Sequence, residues 1–349
     1  MPTGRPVRDP FDVAAAHRWL AGELDGLPDT VPAVSQFAGG ASNLTYLLRY
    51  PDRDLVLRRP PTGTRATSAH DMAREYRLQR ALKPVYPYVP TVRALCRDPG
   101  VLGSDFYVMD HVAGTILRGN LPAGMTLDVA AARALSETFV DTLVDLHRVD
   151  VGAAGLSDLG RGEGYVARQV AGWTRRYAGA RTPNVPRFGR VTSWLAERQP
   201  ADAASCLIHN DFRLDNLVLT GDDPLRVVGV LDWEMATIGD PLMDLGAALA
   251  YWVQADDDPV ARITRRQPTH LPGMLTRREV LERYAERSGL AVDDWAFYEV
   301  FGLFRLAVIA QQIYYRYHRR QTRNPAFRHF WLVVGYLDWR CRRLIRRAG

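Results

Sequence analysis

The chain has 349 residues, 47% hydrophobic and 24% charged, an ordinary globular composition with length enough for a large core or two lobes. No apolar run approaches the ~20 residues of a membrane helix, no basic-then-apolar leader opens the chain, and Cys96, Cys206 and Cys341 are too far apart for a metal or redox motif. A reduced, cytoplasmic protein is expected, with a formal charge of +6 that is unevenly spread: residues 301–349 hold eleven arginines against the single acid Asp338.

In chain order, residues 11–25 carry helical spacing. Stretches 34–37, 45–50 and 55–58 read as strands, with Pro51-Asp52-Arg53-Asp54 as a hairpin turn. A helix is predicted over 67–83, with Ser68 three residues ahead of Asp71 as a capping-box-like start and Pro84 as its stop. Strands at 92–95 and 106–109 complete a small first lobe, 1–111. From about residue 113 the pattern turns helical, with helices at 130–148 and 165–177. The second places Tyr165, Gln169 and Trp173 on one face. Short apolar strands at 206–208, 217–219 and 227–231 interrupt this larger lobe, 112–349, and the last hundred residues are helical again.

The residues that carry chemistry lie in the second lobe. His209-Asn210-Asp211-Phe212-Arg213-Leu214-Asp215-Asn216 is followed by Leu231-Asp232-Trp233-Glu234. Two apolar strands that end abruptly, one at His209 and one at Asp232, would deliver these polar groups to one edge, with Asn216 returning by a short loop. Two carboxylates and a carboxamide there are hard oxygen ligands suited to Mg²⁺, and one carboxylate can stay free to accept a proton. Any one of these residues alone reads equally as a turn or a cap. Their joint spacing behind two apolar strands is what singles them out.

This H-x-D-x-x-x-x-N run with a later strand-borne Asp resembles the catalytic core shared by protein kinases and aminoglycoside phosphotransferases. The resemblance implies an α+β, protein-kinase-like bilobal fold with a small β-rich N-lobe and a larger, mainly helical C-lobe. It implies Asp211 as catalytic base, His209 as a catalytic-loop residue that packs and hydrogen-bonds the loop, and Asn216 and Asp232 as ligands of Mg²⁺ against the phosphates of ATP. Gly239-Asp240-Pro241-Leu242-Met243-Asp244 resembles the segment that follows the metal Asp, with Asp244 accepting backbone hydrogen bonds from the catalytic loop. Asp240 reads equally as a helix N-cap.

A kinase site also needs a cation for the nucleotide phosphates. The chain's single lysine, Lys83, ends a helix, so that cation is expected to be Arg58. Arg58 shares a sheet face with Val56, which could roof the adenine, whereas Arg59 points oppositely and reads as surface. Met72, Glu75, Leu78, Gln79 and Leu82 fall on one helix stripe, so Glu75 faces inward, where an unpaired carboxylate is expensive. Arg58 is its best-placed partner, in a nucleotide clamp or in a plain structural ion pair. Gly39 and Gly40 permit tight backbone, and Ser42 and Asn43 add donors facing phosphate, although a Gly-Gly pair is also common in simple turns. Phe106-Tyr107-Val108-Met109-Asp110-His111 resembles the hinge strand, whose backbone at Met109 and His111 would pair with adenine.

Within the aminoglycoside phosphotransferase and choline kinase-like family, Gly-Gly-x-Ser-Asn, Val-Leu-Arg-Arg-Pro-Pro and Leu-Asp-Trp-Glu are most similar to the kinase-like domains fused to acyl-CoA dehydrogenases. Tyr165-Val-Ala-Arg-Gln169 and Trp173 fit the same branch. Arg58 replaces the usual lysine and Trp233-Glu234 replaces Phe-Gly. Asp244 follows Asp232 by only 12 positions, too few for a protein kinase's activation segment. The resemblance implies an ATP- and Mg²⁺-dependent phosphotransferase acting on a hydroxyl of a small molecule. The basic C-terminus tilts this toward an acidic or CoA-linked hydroxy compound; the alternatives are an aminoglycoside kinase and a nucleotide-binding pseudokinase. That basic end admits a solvated helix face, an anion-binding wall for a substrate or, least favoured, a nucleic-acid surface. Neither nucleic acid nor membrane is expected as a partner.

Overall fold

The computed structural model describes residues 7–37, 43–61, 71–220 and 226–349. The first elements are α1 (Val13–Glu23), β1 (Ala33–Gln36), β2 (Leu44–Arg49), β3 (Asp54–Arg59), α2 (Met72–Leu82), β4 (Val92–Cys96), α3 (Pro99–Leu102) and β5 (Phe106–Asp110). Then come α4 (Val129–His147), α5 (Tyr165–Ala180), α6 (Gly189–Glu197), β6 (Cys206–Ile208), β7 (Leu217–Leu219), β8 (Val227–Val230) and β9 (Thr237–Gly239). The remainder is helical: α7 (Pro241–Leu249), α8 (Pro259–Thr264), α9 (Arg277–Ser288), α10 (Trp295–His318) and α11 (Phe330–Arg347).

The chain forms two compact units. Unit 1 holds Met1–Ile116, Gly152–Leu156 and Asn216–Met235; unit 2 holds Leu117–Val151, Ser157–Asp215 and Ala236–Gly349. Compared with a division at residue 111, unit 1 also takes in β7, β8 and the stretch from Asn216 to Asp232.

Unit 1 is built on an antiparallel five-stranded sheet in the order β1-β2-β3-β5-β4. β2 and β3 pair in unbroken register from Leu44↔Arg59 to Arg49↔Asp54, and the Tyr50 amide closes the turn on the Arg53 carbonyl at 2.9 Å. Alternation divides the side chains. Tyr46, Leu48, Leu55, Leu57, Phe106 and Val108 bury one face with Ala16 and Leu20 of α1, while Leu47, Val56, Tyr107 and Met109 bury the other with Met72 of α2. β7 and β8 form a separate hairpin in the same unit.

Three local expectations need correction. α2 starts at Met72 and its cap is Asp71, which accepts the Arg74 amide at 2.8 Å; Ser68 lies outside the described residues. Arg59 is buried rather than surface-exposed. Its guanidinium sits 5.6 Å from the Phe11 ring centroid and 5.8 Å from that of Tyr46, an aromatic seat that the strand pattern alone did not reveal. The strands at 206–208 and 227–230 do not share a sheet edge, because each takes its own antiparallel partner: β6 pairs with β9 and β8 with β7.

Unit 2 is organised around α10, which packs against α5, α7 and α11. By length and composition α10 could cross a membrane, which sequence inspection missed because Arg305 and Gln311 interrupt the run. Yet 67% of its apolar window is buried inside the protein, as in a core helix. α7 and α10 approach closely where glycines face each other. A Cβ on Gly246 would lie 2.7 Å from the Tyr298 carbonyl oxygen, and one on Gly302 would strike the Gly246 carbonyl. Because backbone cannot yield as a side chain does, Gly302→Ala is expected to destabilise the protein by about 1–3 kcal/mol. The check is the urea midpoint; an unchanged midpoint would show that the two helices part freely.

Candidate functional site

Unit 1 supplies a nearly buried cation. The parity of β3 turns Arg58 to the face of Val56, Tyr107 and Met109. Its Nη2 donates to Asp232 Oδ1 at 2.7 Å and to Glu234 Oε2 at 2.9 Å, and its Nε lies 3.3 Å from Glu75 Oε2. Glu75 enters from α2, and its Oε1 accepts the Tyr107 hydroxyl at 2.9 Å, which in turn accepts from Gln79 Nε2 at 3.0 Å. Burial pushes the Glu75 carboxyl above its ordinary value although Arg58 pulls the other way. Burial alone would weaken the Arg58 cation, but Glu75 and Asp232 outweigh it and hold the guanidinium well above its usual range. A guanidinium carries five N–H donors in a planar fork, so it can meet three carboxylates where an ammonium is a compact point charge.

Glu234 is the member that sequence reasoning missed. Its Oε2 also accepts from Asn43 Nδ2 at 2.9 Å, which ties the residue closing the Gly-Gly-x-Ser-Asn run to the Asp232 segment. The signal was present as a departure, an acid where a protein kinase has glycine. Trp233 anchors the turn by donating its indole N–H to the Val230 carbonyl at 2.8 Å and packing edge-on to Tyr86. Asp232 itself adopts a left-handed backbone with φ of 68°, an uncommon conformation that such anchoring maintains. Asn216, nearly buried, accepts the Leu231 amide on its carbonyl at 2.8 Å, so it stands beside the strand that leads to Asp232.

Of the remaining nucleotide-clamp residues, Val56 and Met109 are buried in the apolar cluster of that sheet face. His111 stacks near Phe37, and its backbone N–H is committed to the Asp54 carbonyl at 3.2 Å. Gly39, Gly40 and Ser42 lie outside the described residues.

Unit 2 supplies the loop that carries Asp211. Its support is Asp244 on α7, fully buried, whose carboxylate accepts the His209 amide at 2.8 Å and the Asn210 amide at 2.7 Å. His147 Nε2 meets the same carboxylate at 3.1 Å, and its Nδ1 meets the Tyr284 hydroxyl at 2.7 Å. Burial by itself would raise Asp244, but His147 and the loop amides bring it below the usual carboxylate range. His209 Nδ1 accepts the Asp211 amide at 3.2 Å. Arg213 Nε lies 3.2 Å from Asp211 Oδ1 and 3.3 Å from Asp215 Oδ1, with its guanidinium 4.6 Å from the Tyr251 ring centroid. Burial, and Asp211 nearby, raise the Asp215 carboxyl despite Arg213. Gln267 takes the Leu214 amide at 2.6 Å, and Arg305 donates to the Asn210 carbonyl at 2.5 Å. Asp240 is the N-cap of α7, accepting the Met243 amide at 2.8 Å and the Ala203 amide at 2.6 Å.

Among the described residues no three His, Cys, Asp or Glu side chains form a metal cluster on their own. A Mg²⁺ site needs less, one or two protein oxygens completed by phosphates and water. In unit 1 Arg58 faces Glu75, Asp232 and Glu234, and each candidate ligand there is a hard oxygen. The donor set fits Mg²⁺.

Known proteins give the same outline. The family described as the phosphotransferase enzyme family matches residues 33–295. Acyl-CoA dehydrogenase family member 10 of Mus musculus is 37% identical over 321 residues, 90% of this chain and 30% of its own length. Family member 11 of Homo sapiens is 33% identical over 315 residues, 88% of this chain and 40% of its own. The chain thus spans less than half the length of these relatives. A Ralstonia eutropha protein assigned to the aminoglycoside phosphotransferases superposes with a TM-score of 0.82 at 29% identity, over 97% of this chain and 100% of that one. Aminoglycoside 2'-phosphotransferase-IIIa, solved with GDP, shares the fold at 13% identity with a TM-score of 0.59, over 94% of this chain and 98% of that one. A family match from β1 to the start of α10, added to the kinase-like order of strand cation, helix carboxylate, catalytic loop and strand-end Asp, establishes that this chain belongs to the phosphotransferase enzyme family and has a protein-kinase-like fold.

Proposed function

We propose that the chain is a small-molecule kinase that moves the γ-phosphoryl group of ATP onto a hydroxyl. The observation that carries this reading is Arg58, nearly buried and held at once by Glu75, Asp232 and Glu234. A structural ion pair needs one anion for one cation. Here one guanidinium meets three carboxylates, a cluster of hard oxygens that suits a site taking up Mg²⁺ with the nucleotide. Phosphoryl transfer asks chiefly for positioning and charge neutralisation. Bound Mg²⁺ would neutralise phosphate charge, with Asp232 and Asn216 as the protein oxygens that hold it. Arg58 would turn its fork to the α- and β-phosphates, with Glu75 keeping it in place. Asp211 would receive the acceptor's hydroxyl proton as the new oxygen–phosphorus bond forms and the bond from the γ-phosphorus to the bridging oxygen breaks, releasing ADP. Arg213 would orient the Asp211 carboxylate.

ATP as donor is supported by structural neighbours solved with AMP-PNP and hygromycin B and with ATP and streptomycin. For the acceptor we favour an acidic or CoA-linked hydroxy compound. The matched relatives are acyl-CoA dehydrogenase family members, which supports a CoA-linked partner for this segment. The basic C-terminus divides: Arg316 and Arg319 are exposed, whereas Arg305 turns inward to the loop of Asp211. An aminoglycoside acceptor is the second reading, favoured by the solved neighbours that act on such antibiotics.

The test is ADP release by purified protein with ATP, Mg²⁺ and a panel of hydroxylated acceptors. Asp211→Ala is expected to lower kcat by on the order of 10²–10⁴; full transfer by that variant would remove Asp211 from the base role. Asp232→Ala should abolish the Mg²⁺ dependence of nucleotide binding, read by calorimetry with and without the metal. Arg58→Lys should raise KM for ATP by about 10-fold or more, because one ammonium cannot hold three carboxylates and the phosphates together. Glu234→Gln should raise KM in the parent protein and add little in the Arg58→Lys background, a double-mutant cycle that isolates their coupling.

A further inference from the structure

Arg305 is the arginine of the basic C-terminal stretch that the fold buries. It is 5% exposed, gives one N–H to the Asn210 carbonyl and holds its guanidinium 5.2 Å from the Trp173 ring centroid on α5. Arg176, one turn further along α5 and exposed, lies 4.6 Å from the same indole. Two guanidiniums thus share one ring, although each such contact is worth only about 0.5–2 kcal/mol and the cations repel each other. Among the described residues neither has a carboxylate within salt-bridge distance, whereas Arg58, Arg213, Arg277 and Arg283 all do. A buried cation without an anion is costly unless something else compensates it. Partial desolvation, with Arg305 and Arg175 nearby, draws Arg176 below the usual arginine range, and the Tyr165 hydroxyl pulls the other way without cancelling them.

The surroundings place this excess of positive charge beside the loop of Asp211. Asn210 directly precedes Asp211, and the Tyr165 hydroxyl donates to the Asn210 side-chain oxygen at 3.1 Å. The Tyr251 hydroxyl lies within the electrostatic reach of Asp211, Arg213 and Arg305 together.

We propose that Arg305 and Arg176, both in contact with the Trp173 ring, form a subsite for an oxyanion of the acceptor, and that this charge aligns the acceptor's hydroxyl with Asp211. The inference deepens the kinase reading of the same site and rests on it. A carboxylate or a phosphate would bind equally by its chemistry, through charge-assisted bonds to two forks. A polycationic acceptor would be repelled.

The experiment titrates the full chain, with ADP and Mg²⁺ present, by calorimetry. The probes are glycerate, a hydroxybutyryl-CoA thioester, neutral glycerol and the polycation kanamycin. Glycerate reports a carboxylate, and the thioester, which has no free carboxylate, reports the CoA phosphates. At least one anion should bind more tightly than glycerol and kanamycin, and weaken with salt. Arg176→Gln, at an exposed position that does not threaten folding, should weaken that anion about 10-fold. Arg305→Gln should weaken it at least as much, and Arg305→Lys should restore part of the loss. The subsite is overturned if parent and Arg176→Gln behave alike toward every anion, whether they bind or not. It is equally overturned if Arg305→Gln weakens glycerol as much as the anion, which would mean that Arg305 only braces the loop. Binding needs no turnover, so anion discrimination by a protein that never releases ADP would sink the kinase reading and leave the subsite intact.

Discussion

The first unit depends on one guanidinium. Arg58 is nearly buried and survives there because α2 supplies Glu75 and the turn after β8 supplies Asp232 and Glu234. Removing one partner from a buried ion pair typically costs about 3–5 kcal/mol, so these segments constrain one another strongly. Strand parity fixes the side from which Arg58 must be met. The helix stripe fixes Glu75, and the Trp233 anchor with its left-handed predecessor fixes the carboxylates of the turn. An arginine at this position changes what the surroundings can be, since its fork accommodates acids on several sides.

The second unit meets the cost of buried carboxylates differently. Among the described residues no guanidinium pairs with Asp244; two loop amides and His147 stabilise its charge. Asp240, three residues before Met243, is satisfied by backbone amides alone, as the cap of α7 and as an acceptor for Ala203. These acids organise backbone, whereas Glu75, Asp232 and Glu234 organise charge. Arg305 is the inverse case, a buried cation whose protein partners are a carbonyl and an indole face.

Much of this was legible in the sequence. Strand alternation around Val56 and Arg58 and the stripe of α2 predicted that Arg58 and Glu75 would meet, and they do. The resemblance of the segment around Asp244 implied that it would accept backbone hydrogen bonds from the catalytic loop, and it takes the His209 and Asn210 amides. What stayed hidden depended on partners distant in sequence. Arg59 alternates away from Arg58 and so read as surface, because its aromatic seat comes from Phe11 and from Tyr46 on a neighbouring strand. Glu234 looked like an unexplained departure until Arg58 and Asn43 were seen to converge on it. β9 is three residues long, too short to carry a period, so its pairing with β6 left no pattern to read.

Residues 209–214 are braced by groups of their own unit: Asp244 holds the His209 and Asn210 amides, Gln267 the Leu214 amide and Arg305 the Asn210 carbonyl. The loop's conformational entropy is therefore surrendered during folding, before any ligand arrives, and need not be subtracted from the affinity of a later guest. A preorganised arm of this kind can serve guests of different shape without being rebuilt. Selectivity is left to side chains around it, and these can change in evolution while the arm's geometry is inherited unaltered.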